Sequence, residues 1–219
     1  MKRFVQDGVG NMRLTDKGVL IVLSGPSGVG KGTVRAKVFE ESHHRLEYSV
    51  SMTTRKPRVG EENGKDYFFV THDEFKARIK EGRFLEYAEF VGNFYGTPLD
   101  YVQERLEAGM DVMLEIEVEG ALQVKKVMPD ACFIFVAPPS MEELHHRIVN
   151  RGTEDPARVE GRMKKAEVEI GLAHEYDYIV MNDTVDNAKN RIMAIIDAQH
   201  SRSERVLEGY GKKVLGLGE

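Results

Sequence analysis

The apolar run Val19-Leu20-Ile21-Val22-Leu23 passes through Ser24 into Gly25-Pro26-Ser27-Gly28-Val29-Gly30-Lys31-Gly32-Thr33, and residues 34–41 then read as helix. A strand that turns through glycines into a helix aims successive backbone N–H groups at one point. The positive end of the helix faces the same point, and Lys31 brings a mobile cation to it. These are the parts of a phosphate-binding loop. They require strand and helix to pack side by side, as in a parallel α/β sheet. The alternative is a glycine-rich turn without a ligand, but the spacing, the lysine and both flanking elements agree against it. One position departs from the usual pattern. Gly32 stands where a Ser or Thr hydroxyl normally meets Mg²⁺, so either Thr33 takes that role or water completes the metal shell.

The rest of the chain repeats the same alternation. Runs at 19–23, 112–116, 132–136 and 178–181 are apolar throughout, as in central strands buried on both faces. Helical segments are expected at 34–41, 99–108, 141–150, 157–175 and 187–204. The pattern predicts a doubly wound α/β fold with right-handed crossovers and ligands at the carboxyl ends of the strands. Residues 51–98 break it. Aromatic strand candidates at 66–70 and 83–90 flank a helix at 73–80, for which Thr71 and Glu74 form a capping box. Turns are expected at Glu62-Asn63-Gly64 and Gly92-Asn93. This stretch reads as a small mixed insert.

Composition narrows the function classes. The 219 residues supply one well-buried domain. A net charge of −5 argues against broad nucleic-acid binding through the phosphate backbone. Cys132 is the single cysteine, so no internal disulfide forms and a reducing, cytoplasmic location is expected. No apolar stretch nears the ~20 residues a membrane span needs. Residues 1–16 and 206–219 read as tails. The chain is open to homo-oligomerisation.

Two charged clusters suggest a substrate. Ser51-Met52-Thr53-Thr54-Arg55-Lys56-Pro57-Arg58 places two arginines beside hydroxyls, and Tyr67 and Tyr95 add phenols. An arginine fork grips a phosphate through parallel hydrogen bonds; an exposed basic turn is the bland alternative. Glu86, Glu115 and Glu117 are the acidic counterpart, with Glu115 and Glu117 expected on one face of a strand end. Charges at the end of an apolar strand need a partner or a role. A carboxylate accepts from two adjacent N–H groups, which the Watson–Crick edge of guanine offers and that of adenine does not. Farther on, Ser140 and Glu143 cap a helix that carries Arg147 and Arg151, and the next helix carries Arg158 and Arg162, both pairs at i,i+4. Surface pairing with Glu142, Glu143, Glu154 or Glu160 is the alternative for these arginines, and is preferred for Arg158.

From about Lys17 to Arg205 the chain closely resembles guanylate kinases of the bacterial type. The resemblance rests on residues 25–31, 51–58, Gly64-Lys65-Asp66-Tyr67-Phe68-Phe69, Gly92-Asn93-Phe94-Tyr95-Gly96-Thr97, Leu114-Glu115-Ile116-Glu117-Val118-Glu119-Gly120-Ala121 and Arg151-Gly152-Thr153-Glu154, in that order. It implies the α/β fold of a P-loop nucleoside monophosphate kinase. The core would span 17–50, 99–140 and 173–205, a GMP-binding insert 51–98, and a helical lid 141–172. It implies transfer of the γ-phosphoryl group of MgATP to GMP, and to dGMP, in purine nucleotide metabolism. ATP and GMP would be the partners and Mg²⁺ the cofactor. By matching positions, ATP would meet Ser24, Gly25, Pro26, Ser27, Gly28, Val29, Gly30, Lys31, Gly32, Thr33 and Asn182. GMP would meet Ser51, Arg55, Arg58, Tyr67, Glu86, Tyr95, Thr97 and Glu117. Lys31, Arg55, Arg147, Arg151 and Arg162 would be catalytic, Lys31 and the three lid arginines on the transferring phosphates and Arg55 holding the acceptor in line. The metal would involve Glu115, at one remove, and Thr33. Some relatives carry Asp where Glu115 and Glu117 stand, so the roles of these two are the least defined. The rivals are a kinase for another nucleoside monophosphate, suggested by Gly32-Thr33, and a catalytically dead domain that binds protein partners. Retention of Lys31, Arg147, Arg151 and Arg162 argues against the second.

Overall fold

The computed structural model describes residues 17–150 and 155–208. The elements in chain order are β1 (Leu20–Ser24), α1 (Lys31–Glu41), β2 (Leu46–Tyr48), β3 (Met52–Thr53), β4 (Phe68–Phe69), α2 (His72–Lys80), β5 (Phe84–Phe90), β6 (Asn93–Pro98), α3 (Leu99–Glu107), β7 (Asp111–Glu115), α4 (Val118–Val127), β8 (Cys132–Ala137), α5 (Met141–Val149), α6 (Pro156–Gly171), β9 (Tyr178–Met181), α7 (Val185–His200) and α8 (Ser203–Val206). No helix among the described residues is long and apolar enough to cross a membrane.

The main sheet is five-stranded and parallel, in the order β2-β7-β1-β8-β9. Its central strand shows why the apolar runs are continuous. Ile21 and Leu23 face one way and Leu20 and Val22 the other, following the two-residue period of a strand. The first face is covered by α1, α5 and α7 through Val34, Val38, Leu144, Ile148, Ala188, Ile192 and Ile196. The second is covered by α3 and α4 through Val102, Leu106, Ala121 and Val124. Each buried Val, Leu or Ile among them contributes roughly 1.5–3 kcal/mol, so both faces anchor β1 and the loop that leaves it. Cys132 is buried in β8, and burial pushes its thiol up to about 12, as expected of an inert strand residue.

A second, four-stranded sheet has the order β4-β3-β6-β5. Phe75 of α2 stacks on Phe84 with ring centroids 4.3 Å apart and on Phe94 at 5.4 Å, closing a small aromatic core. The capping box at Thr71 and Glu74 is present.

Several boundaries differ from the sequence reading. The turn after β5 is Val91-Gly92, with φ of 49° and 71°, and Asn93 already pairs as the first residue of β6. Two positive φ values in a two-residue hairpin match the right-handed twist of the flanking strands. The strand expected at 66–70 shortens to β4. The helix expected at 157–175 ends at Gly171, followed by a 3₁₀ turn at Ala173–Glu175. The last long helix begins at Val185, because Thr184 caps it by accepting from the Asn187 N–H, and it ends at His200. Strands β2, β3 and β6 and helix α4 are additions. Strand β7 ends at Glu115, and Glu117 is the N-cap of α4. Glu115 and Glu117 therefore do not share a strand face, which corrects the expectation built on the period of two.

Candidate active site

A cleft of about 620 Å³ lies between the carboxyl end of the parallel sheet and the second sheet. It is lined by Gly25, Ser27 and Lys31 from the loop after β1, by Ser51, Tyr67, Glu86 and Tyr95 from the second sheet and its loops, and by Glu115 and Glu117.

The glycine loop is held in a shape that other residues resist. A Cβ on Gly25 would sit 2.3 Å from the Val136 carbonyl oxygen of β8. Gly30 caps α1 with φ of 95°, in the left-handed region. Lys31 Nζ donates to the carbonyls of Gly25 (2.6 Å) and Pro26 (3.1 Å), which holds the ammonium over the loop. Burial lowers its pKa, and Glu115, Glu169 and Glu117 oppose that shift. Behind the loop, the Val29 carbonyl accepts from Asn182 Nδ2 at 2.8 Å and from Arg147 Nη1 at 3.3 Å. Arg147 also donates to the Asn182 carbonyl (3.1 Å) and to Glu143 Oε1 (2.8 Å). The pairing of Arg147 with Glu143 is present, and the same side chain also ties the loop to α5. Asn182 is buried, with its amide committed to the loop. Arg162 Nη2 donates to Ser27 Oγ at 2.9 Å, bringing α6 onto the loop. Arg151 and the rest of Arg151-Gly152-Thr153-Glu154 lie outside the described residues.

The opposite wall holds a buried acid. Glu86 and Thr97 face each other across β5 and β6, and Thr97 Oγ1 donates to Glu86 Oε1 at 2.7 Å. Glu86 is 9% exposed, and burial raises its pKa while the Thr97 hydrogen bonds hold it back. In the same sheet and its loops, the Arg55 guanidinium lies 5.4 Å from the Tyr67 ring centroid, and Tyr67 meets Tyr95 edge-on at 6.2 Å. Arg55 grips Glu61 with both arms, Nη1 to Oε2 at 3.0 Å and Nη2 to Oε1 at 2.8 Å. Glu61 Oε2 also accepts the Arg58 N–H at 2.7 Å. The Arg58 residue is exposed and does not line the cleft.

Between the walls, Glu115 Oε2 lies 3.1 Å from Arg35 Nε. A Cβ on Gly32 would stand 3.6 Å from Glu115 Oε1, so the glycine leaves room beside that carboxylate. Thr33 is exposed and is not among the lining residues. Glu117 is 73% exposed at the side chain and pairs with Lys165 Nζ of α6 at 2.7 Å.

Among the lining residues that sequence reasoning missed are Tyr48, Lys165 and Glu169. A signal for Glu169 existed. It falls on the same helical stripe as Val159 and Ala166, and a carboxylate among buried positions is costly without a role. Its Oε2 is buried without a hydrogen-bond partner among the described residues, and burial raises its pKa.

A family model described as Guanylate kinase matches residues 17–199. The guanylate kinase of Listeria monocytogenes serotype 4b (strain F2365) is 54% identical over 204 residues, spanning 93% of this chain and 100% of that protein. That of Lactococcus lactis subsp. lactis (strain IL1403) is 58% identical over 197 residues, or 90% and 96% of the two chains. Among solved structures, the guanylate kinase from Anaplasma phagocytophilum superimposes with a TM-score of 0.66 at 34% identity, covering 89% of this chain and 96% of that one.

Proposed function

The chain belongs to the guanylate kinase family, and we propose the following division of labour among its residues. The reaction is transfer of a phosphoryl group from ATP to GMP, giving ADP and GDP. The observation that carries the assignment is a buried carboxylate, Glu86, lining the same cleft as the loop lysine, Lys31. Glu86 accepts from the N1–H and N2 amine of guanine, and Thr97 fixes the carboxylate in place. Ser51, Tyr67 and Tyr95, which line the cleft, hold the GMP phosphate together with Arg55, and the exposed Arg58 would join them only as the insert closes on GMP. The loop amides, Lys31 and Arg162 offset charge on the ATP phosphates. Arg147 acts by fixing the loop through Val29. The acceptor is already an anion, so catalysis is positioning and charge neutralisation rather than proton abstraction.

Residues 51–98 serve as the GMP-binding unit, 141–172 as the lid and the remainder of 17–205 as the core. Lys165 and Arg162 reach from α6 to Glu117 and Ser27, which supports the lid reading. Mg²⁺ takes oxygen ligands and keeps several waters. Glu115, beside Lys31 and the open space at Gly32, fits that demand through a water better than the exposed Thr33 does. The ion would neutralise phosphate charge when bound with ATP. We assign the enzyme to the cytoplasm and to purine nucleotide metabolism, with dGMP as a second acceptor.

The test is a coupled ADP-release assay with MgATP and GMP, dGMP, AMP, UMP or CMP. Turnover confined to the two guanine nucleotides is expected. Turnover with AMP or a pyrimidine would keep the kinase and overturn the role of Glu86.

A further inference from the structure

The end of the parallel sheet opposite the phosphate loop carries a second chemical cluster, which the reaction does not use. Asp111 opens β7, His43 and His44 lie between α1 and β2, and Asp197 and His200 occupy the last turn of α7. His43 Nε2 is 3.1 Å from Asp197 Oδ1, and His44 Nε2 is 3.0 Å from the same oxygen. The two imidazole rings have centroids 4.2 Å apart. One ligand atom from each of the three residues falls within 4.8 Å of the others. A tetrahedral ion with bonds of about 2.0–2.1 Å sets its ligand atoms roughly 3.3–3.4 Å apart. The two nitrogen–oxygen spacings are close to those of an ion-binding face.

The surroundings strengthen the case. His44 Nδ1 points toward the fully buried Asp111, 3.8 Å from Oδ2. A carboxylate behind the second nitrogen of a metal-bound imidazole is the recurrent way to fix its tautomer. Asp111 is itself anchored, by the Val19 N–H on Oδ1 at 2.8 Å and by His200 Nε2 on Oδ2 at 2.9 Å. His43 and Asp197 have side chains 32% and 54% exposed, giving an ion and a water ligand access from solvent.

We propose that His43, His44 and Asp197 form a binding site for a Zn²⁺-class transition metal, with solvent completing the shell. Two imidazoles and one carboxylate suit such an ion and disfavour Mg²⁺, which prefers oxygen alone. The bound ion clips the loop after α1 to the end of α7, joining residues 154 and 153 positions apart. Because α1 carries the phosphate loop at its other end, the clip stiffens the scaffold without touching the cleft.

The test is calorimetric titration of Zn²⁺ into the full chain without nucleotide, with melting curves in Zn²⁺ and in Mg²⁺. One saturable site is expected, with a rise in Tm that Mg²⁺ does not reproduce. Co²⁺ should give the intense visible bands of a four-coordinate site. His43→Gln and Asp197→Asn, both at partly exposed positions, should each weaken binding at least about tenfold and leave turnover of GMP unchanged. A variant with both His145→Gln and His146→Gln, changed at exposed positions on α5, should bind normally. Absence of saturable uptake, or uptake that survives both His43→Gln and Asp197→Asn, overturns the proposal.

Discussion

Glu86→Gln is the sharpest test of the base-reading assignment, because the change is isosteric and the site is buried. Thr97 already uses part of Glu86 Oε1. Glu86 Oε2 packs over Gly120, where even a Cβ would approach to 3.3 Å. The glutamine amide therefore has little freedom to move. If its NH₂ turns to Thr97, one neutral acceptor remains for two guanine N–H groups. If it turns to the base, donor meets donor. Either way a charge-assisted hydrogen bond is lost, a cost of about 1.5–3 kcal/mol. That corresponds to a fall of roughly 10- to 150-fold in kcat/KM for GMP, with KM for ATP unchanged. Steady-state kinetics with each nucleotide varied at saturating levels of the other provide the measurement, and equal losses for both would refute the assignment. Stability supplies a second reading. Burial raises the Glu86 pKa above its ordinary 4.5, so the folded chain binds this proton more tightly than the unfolded one. The resulting stabilisation is complete below 4.5 and is lost as pH rises through the folded pKa. Glu86→Gln removes that dependence, so the variant should melt above wild type at neutral pH, by a gap that narrows toward pH 4.5. A gap independent of pH would refute the buried-charge argument.

Three further outcomes are expected. Lys31→Ala should lower kcat by at least ~100-fold, the scale of losing one oriented charge partner; near-normal turnover would refute its role. Asn182→Ala strips the Val29 carbonyl of a buried donor and should cost about 1–2 kcal/mol of stability by chemical denaturation, with KM for ATP rising more than KM for GMP. Thr71→Ala removes the cap of α2 and should cost about 1 kcal/mol while kcat stays at the wild-type value; a fall in kcat would mean that α2 does more than support its sheet.

The parts legible in the sequence are those written in one contiguous stretch. The strand–glycine–lysine–helix unit needs no distant partner to be seen. The central strands announce themselves because both of their faces are buried. Helix α4 carries weak local signals. Its N-cap is Glu117 rather than Ser, Thr, Asp or Asn, and Gly120 weakens helix propensity where the backbone must pass close to Glu86. Strands β2 and β3 are three and two residues long, too short to display a period. The pairing of Lys165 with Glu117 and of Arg162 with Ser27 joins segments 48 and 135 residues apart, and no local pattern reports that. Surface pairing with an acid such as Glu143 is the alternative that spacing offers for Arg147, and that pair is present. The carbonyls that Arg147 also reaches belong to backbone that sequence spacing does not locate.

The grip of Arg55 on Glu61 has a consequence for which molecules the site admits. A carboxylate presents two oxygens in the same flat fork as one edge of a phosphate, so Glu61 acts as an internal stand-in for the anion that Arg55 is assigned to receive. Entry is then a contest between two anions for one guanidinium. Guanosine, having no charge to offer, leaves the stand-in seated. A phosphate ester brings a second negative charge and a third oxygen, and on the proposed assignment a base held at the far wall would help it win the contest. On that assignment, selectivity for a nucleotide over both its nucleoside and free phosphate would rest on Glu61 together with the wall that holds the base.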